Sequence, residues 1–213
     1  MLVESVNVAK PVTIEFNDQA VQTGIFKSTV AGAIEVSSLG LAGDTIVDKQ
    51  VHGGLDQAVY LYHKEDYDWW SEQLGRTLDY GTFGENLTLS GVSDIAWVIG
   101  DRLKINNIEL EITAPRTPCF KLGVRMQDPT FVKKFAKAIR PGAYARVITP
   151  GVLQAGDSVL VEKTTADFAA VKEVFAVWHS KDRPAAFLAK ALASPIASVH
   201  KQKLQEWYDA STQ

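Results

Sequence analysis

The side chain with the widest chemical reach in these 213 residues is the sole cysteine, in Ala114-Pro115-Arg116-Thr117-Pro118-Cys119-Phe120-Lys121-Leu122. Prolines at 115 and 118 fix φ and disfavour helix for the residues before them, so Cys119 sits on a restrained loop. Arg116 and Lys121 place a cation on each side of it, and neighbouring cations favour a thiolate over a thiol. A thiolate is both a nucleophile and a soft ligand for transition metals. The competing reading of a lone cysteine is a small buried hydrophobe.

Three more loops carry unusual residues. Gly40-Leu41-Ala42-Gly43-Asp44 breaks regular structure, and Val51-His52-Gly53-Gly54-Leu55-Asp56-Gln57 follows it. Paired glycines let backbone approach a ligand closely, and a histidine beside them can move protons near neutral pH. The third is Gly81-Thr82-Phe83-Gly84-Glu85-Asn86-Leu87-Thr88-Leu89. Each has a plainer reading beside it. Asp44 and Asp56 fit turns, Asn86 fits a strand-entry residue satisfying its own loop, and Arg116 and Lys121 fit solvated charges. His63, His179 and His200 have no paired metal spacing and read as packing or surface residues.

Composition narrows the field. A formal charge of −3 offers no basic footprint for nucleic acid. No run of about 18 apolar residues exists, and the N-terminus lacks signal-peptide regions. One cysteine forms no internal disulfide, which fits a reducing cytoplasm. It also rules out a cluster or zinc site built on several cysteines of this chain. A metal held through sulfur therefore takes its other ligands from elsewhere. No Gly-x-Gly-x-x-Gly, Walker or Gly-x-Ser-x-Gly motif occurs.

The elements that must position these loops are mostly short strands. Leu2–Val8 alternates with period two, and 23–27 and 32–36 are brief apolar runs bounded by glycine. Ala58-Val59-Tyr60-Leu61-Tyr62 reads as a strand, then Lys64 to Leu74 as a helix with Tyr67, Trp70 and Leu74 on one face and Gly75 as cap. Trp69 and Trp70 read as packing residues. The run from Val98 turns at Asn106-Asn107 into a hairpin with one wet face, whose second strand enters the cysteine loop. Asp128-Pro129 predicts a helix start, with Phe131, Phe135 and Ala138 as its stripe. Strands follow at 143–149 and 158–162. From Lys163 the texture is helical, with starts expected at Asp167, at Arg183-Pro184 and at Ser194-Pro195. These helices hold too little apolar surface for a core of their own and should dock on the barrel or on a partner. The fold class is mainly β with α (α+β): a twisted antiparallel β-barrel over 1–163 with peripheral helices, then a small three-helix domain over 166–210.

Taken together, Gly43-Asp44, the 51–60 string with His52-Gly53-Gly54 and Asp56, Phe83-Gly84-Glu85-Asn86-Leu87-Thr88 and the Pro115–Leu122 string resemble the MOSC domain family, in its YiiM-like branch, which adds a three-helix unit after the barrel. The resemblance covers nearly the whole chain in the right order. It implies a molybdenum cofactor (molybdopterin) whose metal is ligated by Cys119, with a pterin dithiolene supplying further sulfurs. It implies cofactor-binding roles for Cys119, His52, Gly53, Gly54, Asn86, Arg116, Thr117 and Lys121. Catalytic roles fall to Cys119, His52 and Asp56, the last two holding water or carrying a proton. The implied activity is a molybdenum-cofactor-dependent oxidoreductase that reduces small-molecule N-hydroxylated compounds, such as N-hydroxylaminopurine, to amines. Electrons would come from a separate flavoprotein-type reductase, because the chain shows no flavin motif or second redox centre. A persulfide carrier on Cys119, a non-catalytic cofactor-binding module and a degenerate domain with an interacting tail are the alternatives. The expected setting is cytoplasmic, with neither nucleic acid nor membrane as partner and a homodimer left open.

Overall fold

The protein, a computed structural model, is described at residues 1–45, 47, 54–91 and 96–212. Its strands are β1 (Leu2–Val8), β2 (Val12–Phe16), β3 (Gln19–Thr23), β4 (Ser28–Thr29), β5 (Ile34–Ser37), β6 (Gly40–Leu41), β7 (Val59–His63), β8 (Leu87–Ser90), β9 (Arg102–Ile105), β10 (Ile108–Ala114), β11 (Ala143–Thr149), β12 (Gly151–Leu153) and β13 (Val159–Glu162). The helices are α1 (Lys64–Leu74), α2 (Phe120–Met126), α3 (Phe131–Ala138), α4 (Val171–Trp178), α5 (Ala185–Ala193) and α6 (Ser198–Ser211), and a 3-10 turn spans Leu55–Gln57.

Eight strands form one curled sheet in the order β13-β9-β10-β11-β7-β8-β1-β4. Its ends meet: Val3 N–H donates to Asp157 C=O at 2.9 Å, and Val159 N–H donates to Met1 C=O at 2.9 Å. That closure satisfies edges a flat sheet would leave open. The pairing is antiparallel except between β7 and β8, which run parallel. A parallel neighbour needs a crossover, and α1 supplies it. The antiparallel barrel thus includes one parallel pair, where helix and strand alternate.

Alternation decides which residues fill the barrel. Ile108, Leu110 and Ile112 of β10 are buried, while Glu109 and Glu111 pair with Arg102 across the hairpin. The turn falls at Asn106-Asn107, where Asn106 takes φ 53°. Helix α1 ends at Gly75 in the left-handed conformation (φ 62°) that glycine adopts without Cβ strain.

The three C-terminal helices have no core apart from the barrel's. Val171, Val174, Leu188, Ala191 and Leu204 belong to the same buried cluster as Leu103, Ile105 and Ile112. Backbone bonds tie the two parts, Val171 N–H to Trp97 C=O at 2.9 Å and Ala197 N–H to Thr113 C=O at 3.0 Å. Two helix starts differ from expectation. α4 begins at Val171 and not at Asp167, whose carboxylate pairs with Lys190 instead. α6 begins at Ser198, because the carboxylate of Asp56, far away in sequence, accepts the Ser198 N–H at 2.9 Å.

A second buried cluster is aromatic: Tyr60, Tyr62, Tyr67, Trp70, Phe83, Phe131, Phe135 and Phe175. It packs α1 and α3 against β7 and forms the back of the cleft described next.

Candidate active site

The cysteine loop opens into a helix that the sequence reading missed. Cys119 has extended geometry (φ −124°, ψ 174°) at the N-cap position of α2, and its C=O accepts the Leu122 N–H at 3.0 Å. The stiff Pro115–Pro118 segment thus carries the chain from the end of β10 to a helix start, with the half-buried Cys119 at the junction.

Cys119 lines a cleft of about 660 Å³, its open mouth included. Among the described residues six stretches build it: Thr23 to Lys27, Thr45 with Val47, Gln57 with Tyr60, Phe83 to Asn86, Arg116 with Cys119 and Lys121, and Tyr144 beside Tyr60. Strand register places the two tyrosines side by side, since Tyr144 pairs directly with Tyr60. The wall at Gly24 is so close to the next loop that an added Cβ would lie 2.1 Å from Thr45 C=O.

Arg116 is 5 % exposed. Its guanidinium lies 5.7 Å from the Tyr60 ring and 5.3 Å from the Phe135 ring, so two aromatic faces fix it. Its Nη1 is buried with no hydrogen-bond partner among the described residues. Burial pushes the phenols of Tyr60 and Tyr144 above their ordinary range, so both stay neutral beside it. A buried arginine keeps its charge, so this part of the wall is cationic, with the Nη1 amino group unspent among the described residues.

Lys27 was not identified from the sequence. Only 7 % of its side chain is exposed, and its Nζ pairs with Asp44. Burial pulls its pKa down, partly offset by that carboxylate. A lysine ending an apolar, glycine-bounded run was the available signal: such a charge is buried only with a partner.

The structure brings Cys119, Asn86, Arg116 and Lys121 of the sequence-selected residues to one cleft. Asn86 lines it with its side chain already engaged. Its Oδ1 accepts the Tyr60 N–H at 3.0 Å and its Nδ2 donates to Asp44 Oδ2 at 2.8 Å. It is a strut between strands as well as a wall residue. Glu85 beside it is fully buried, accepting from Tyr67 Oη and Gly81 N–H, both at 2.6 Å. Burial raises its pKa against those bonds. His52 and Gly53 lie outside the described residues. Gly54 (φ 75°) and Thr117 are not among the lining residues.

Asp56 is engaged elsewhere. It is not among the cleft-lining residues. Its Oδ1 pairs with Arg146 at 3.0 Å and its Oδ2 caps α6. The Ser198 N–H and Arg146 together hold its pKa low despite partial burial. The motif matched, but a carboxylate facing a helix terminus serves that terminus. Asp56→Ala is expected to cost about 1 kcal/mol through the lost cap. The depressed carboxylate contributes stability above its unfolded pKa and loses it as pH falls through the lower folded value. The gap between wild type and variant in thermal unfolding should therefore close in acid. A gap that persists at low pH would show that the carboxylate is not the cause.

Among the described residues no group of three His, Cys, Asp or Glu could hold a metal, and no helix is long and apolar enough to cross a membrane.

The MOSC domain model matches residues 48–160. Bacillus subtilis (strain 168) YflK is 34 % identical over 152 residues, spanning 71 % of this chain and 69 % of that protein. A Gibberella moniliformis protein named a reductase is 34 % identical over 143 residues, which span 65 % of this chain and 25 % of that protein. The crystal structure of YiiM from Geobacillus stearothermophilus superposes with a TM-score of 0.81 at 26 % identity, over 97 % of this chain and 98 % of that one. With more than half its length matched by the model and its full architecture shared, the chain belongs to the MOSC domain family.

Proposed function

We propose that this chain binds a molybdenum cofactor in the Cys119 cleft and reduces N-hydroxylated compounds, N-hydroxylaminopurine-type bases among them, to amines. The observation that carries the reading is the buried, unspent Nη1 of Arg116 in the same cleft as the only cysteine. An orphaned buried cation is costly unless a ligand meets it. An anionic group on a metal-bearing cofactor would meet it, and the metal's remaining ligands would be supplied by that cofactor. Family membership supports the cofactor class, and one relative carries the name of a reductase.

The residues fit the group in separate ways. Cys119 offers one soft sulfur to the metal. Arg116, Lys121 and Lys27 offer cationic N–H groups to a phosphate. When bound, the cofactor would supply the two-electron chemistry that N–O cleavage requires. The reaction balances as R–NHOH plus two electrons and two protons giving R–NH₂ and water. The protein's own share is to fix the metal end at Cys119, to anchor the anionic end at Arg116, and to exclude water with the neutral Tyr60 and Tyr144 wall. Lys27, held by Asp44, keeps a proton at the cleft surface.

The test is elemental analysis with pterin fluorescence on gently purified protein from a cofactor-making host, followed by reduction of an N-hydroxylated base with a reduced viologen. About one molybdenum per chain and amine formation are expected. A protein without molybdenum whose Cys119 carries one extra sulfur by mass spectrometry would instead be a sulfur carrier.

Arg116 gives a second check. Arg116→Met removes a buried charge but keeps much of its volume. The cofactor-free variant should unfold within about 2 °C of wild type or above it, since 1 kcal/mol is roughly 2–4 °C at this length. Its retained cofactor should fall at least about tenfold, the loss of one charged hydrogen bond. Cofactor retention equal to wild type would remove Arg116 from the site.

A further inference from the structure

The 3-10 turn at Leu55–Gln57 joins the cleft to the far end of the chain. Gln57 lines the cleft, is 3 % exposed, and its N–H donates to Gly54 C=O at 3.2 Å. Its amide Nε2 meets His200 Nδ1 on α6 in a long hydrogen bond of 3.5 Å. Its Oε1 is buried with no hydrogen-bond partner among the described residues. A carboxamide has a donor end and an acceptor end; His200 engages the first and leaves the second unspent. An unsatisfied buried carbonyl costs free energy, and in a cleft wall a bound molecule can remove that cost.

The side chain is held from behind. His200 is itself buried, and the Trp178 ring packs against it at 4.7 Å between centroids. One residue before Gln57, Asp56 ties the turn to three elements. Its carboxylate accepts the Ser198 N–H of α6 and pairs with Arg146 of β11, and its C=O accepts from Thr113 Oγ1 of β10 at 2.6 Å. The turn cannot shift without breaking those contacts, so the carboxamide is presented from a fixed base. Two residues of the described lining carry buried side-chain atoms without partners among the described residues: Arg116 with Nη1, a donor, and Gln57 with Oε1, an acceptor. A molecule bearing an anionic group and a separate N–H or O–H group satisfies both.

We propose that Gln57 is a binding residue of the cleft, its Oε1 accepting a hydrogen bond from an N–H or O–H group of the bound molecule, and that His200 of α6 is the positioning residue that holds it there. The inference deepens the proposed reaction and rests on it for the identity of the ligand: a pterin and an N-hydroxylated purine both carry N–H groups. It also gives the C-terminal helices a share in the site, through His200.

The test is calorimetry on the cofactor-free protein with two probes, 6-hydroxymethylpterin and N-hydroxylaminopurine. Gln57→Leu keeps most of the volume and removes the acceptor; Gln57→Met is a second variant of the same kind, and thermal unfolding checks that each folds. At least one probe should bind about three- to tenfold more weakly, the worth of one uncharged hydrogen bond. The more weakened probe identifies the source, the pterin for the cofactor and the purine for the substrate. His200→Leu should weaken the same probe. His200→Asn, which keeps an acceptor near the Nδ1 position, should bind as wild type does. Gln57→Leu/His200→Leu should bind no worse than Gln57→Leu alone, a non-additivity that general loosening of the fold would not produce. Wild-type affinity for both probes in folded Gln57→Leu and Gln57→Met, or no binding of either probe by wild type, overturns the role of Gln57. Losses that add in the double variant, or wild-type binding in His200→Leu, overturn the positioning role. In the loaded protein the same split reads as lower molybdenum per chain or as a raised KM at unchanged kcat. A loaded wild type without turnover strikes the proposed reaction, while the calorimetric comparison still decides on Gln57.

Discussion

Cys119→Ala protein, made in a host that supplies the molybdenum cofactor, should lose molybdenum at least about tenfold and N-reductive turnover at least about a hundredfold. Losing a residue that merely orients a metal ligand already costs roughly 10–100-fold, and Cys119 is the one thiolate this chain can offer. The variant should still fold. The side chain is half-buried and makes no cap hydrogen bond to α2, so thermal unfolding should stay within about 2–4 °C of wild type, the equivalent of 1 kcal/mol. That separation gives the result its meaning: a folded protein without metal assigns the ligand, whereas an unfolded one assigns only a packing role. Molybdenum content equal to wild type in a folded Cys119→Ala protein would sink the assignment.

The thiol's importance was legible because its neighbours were chemically odd together: prolines, two cations and a lone cysteine. What surrounds it was less legible, for reasons that differ residue by residue. α2 was hidden by Pro118, which disfavours helix at Thr117 and says nothing about residue 120 onward; Leu122 and Met126, four apart and both buried, were its available signal. Tyr60 and Tyr144 become cleft neighbours through strand register, a long-range fact that no local pattern carries. Lys27 lay in a run read as a strand; in the fold β3 ends at Thr23 and the following residues form cleft wall instead.

Asp56 shows the limit from the other side. Its string matches the family pattern, and its neighbour Gln57 does line the cleft. The carboxylate nevertheless faces α6. A motif fixes a neighbourhood in the fold, but a side chain's direction depends on which partner is nearest, here a helix terminus from the far end of the chain. The start of α6 was unreadable for the same reason: its cap lies outside the local sequence. The barrel itself was more legible, since alternation in β10 and the Asn106 turn are local signals with local causes.

Asp44→Ala should be the most damaging change outside the cysteine loop. Asp44 Oδ2 accepts from Lys27 and from Asn86 Nδ2, and its Oδ1 accepts the Ala9 N–H at 2.9 Å. Removing it leaves the buried Lys27 ammonium with Glu85 as its remaining counter-charge and strands two further donors. Breaking one partner of a buried pair costs about 3–5 kcal/mol, or roughly 10 °C at this chain length. The pH dependence follows from Lys27. Burial already lowers its pKa against the pull of Asp44, so losing Asp44 lowers it further. A group with a depressed folded pKa binds fewer protons in the folded state than in the unfolded one, so stability rises with pH through that interval. The deficit of Asp44→Ala should accordingly shrink between neutral pH and the ordinary lysine range. Asp44→Ala/Lys27→Met should recover much of the loss at neutral pH, because removing both charges also removes the uncompensated one. Thermal unfolding of the three proteins at neutral and alkaline pH decides it. A double variant as unstable as the single one would mean that the Asn86 and Ala9 contacts, and not the buried ammonium, set the cost.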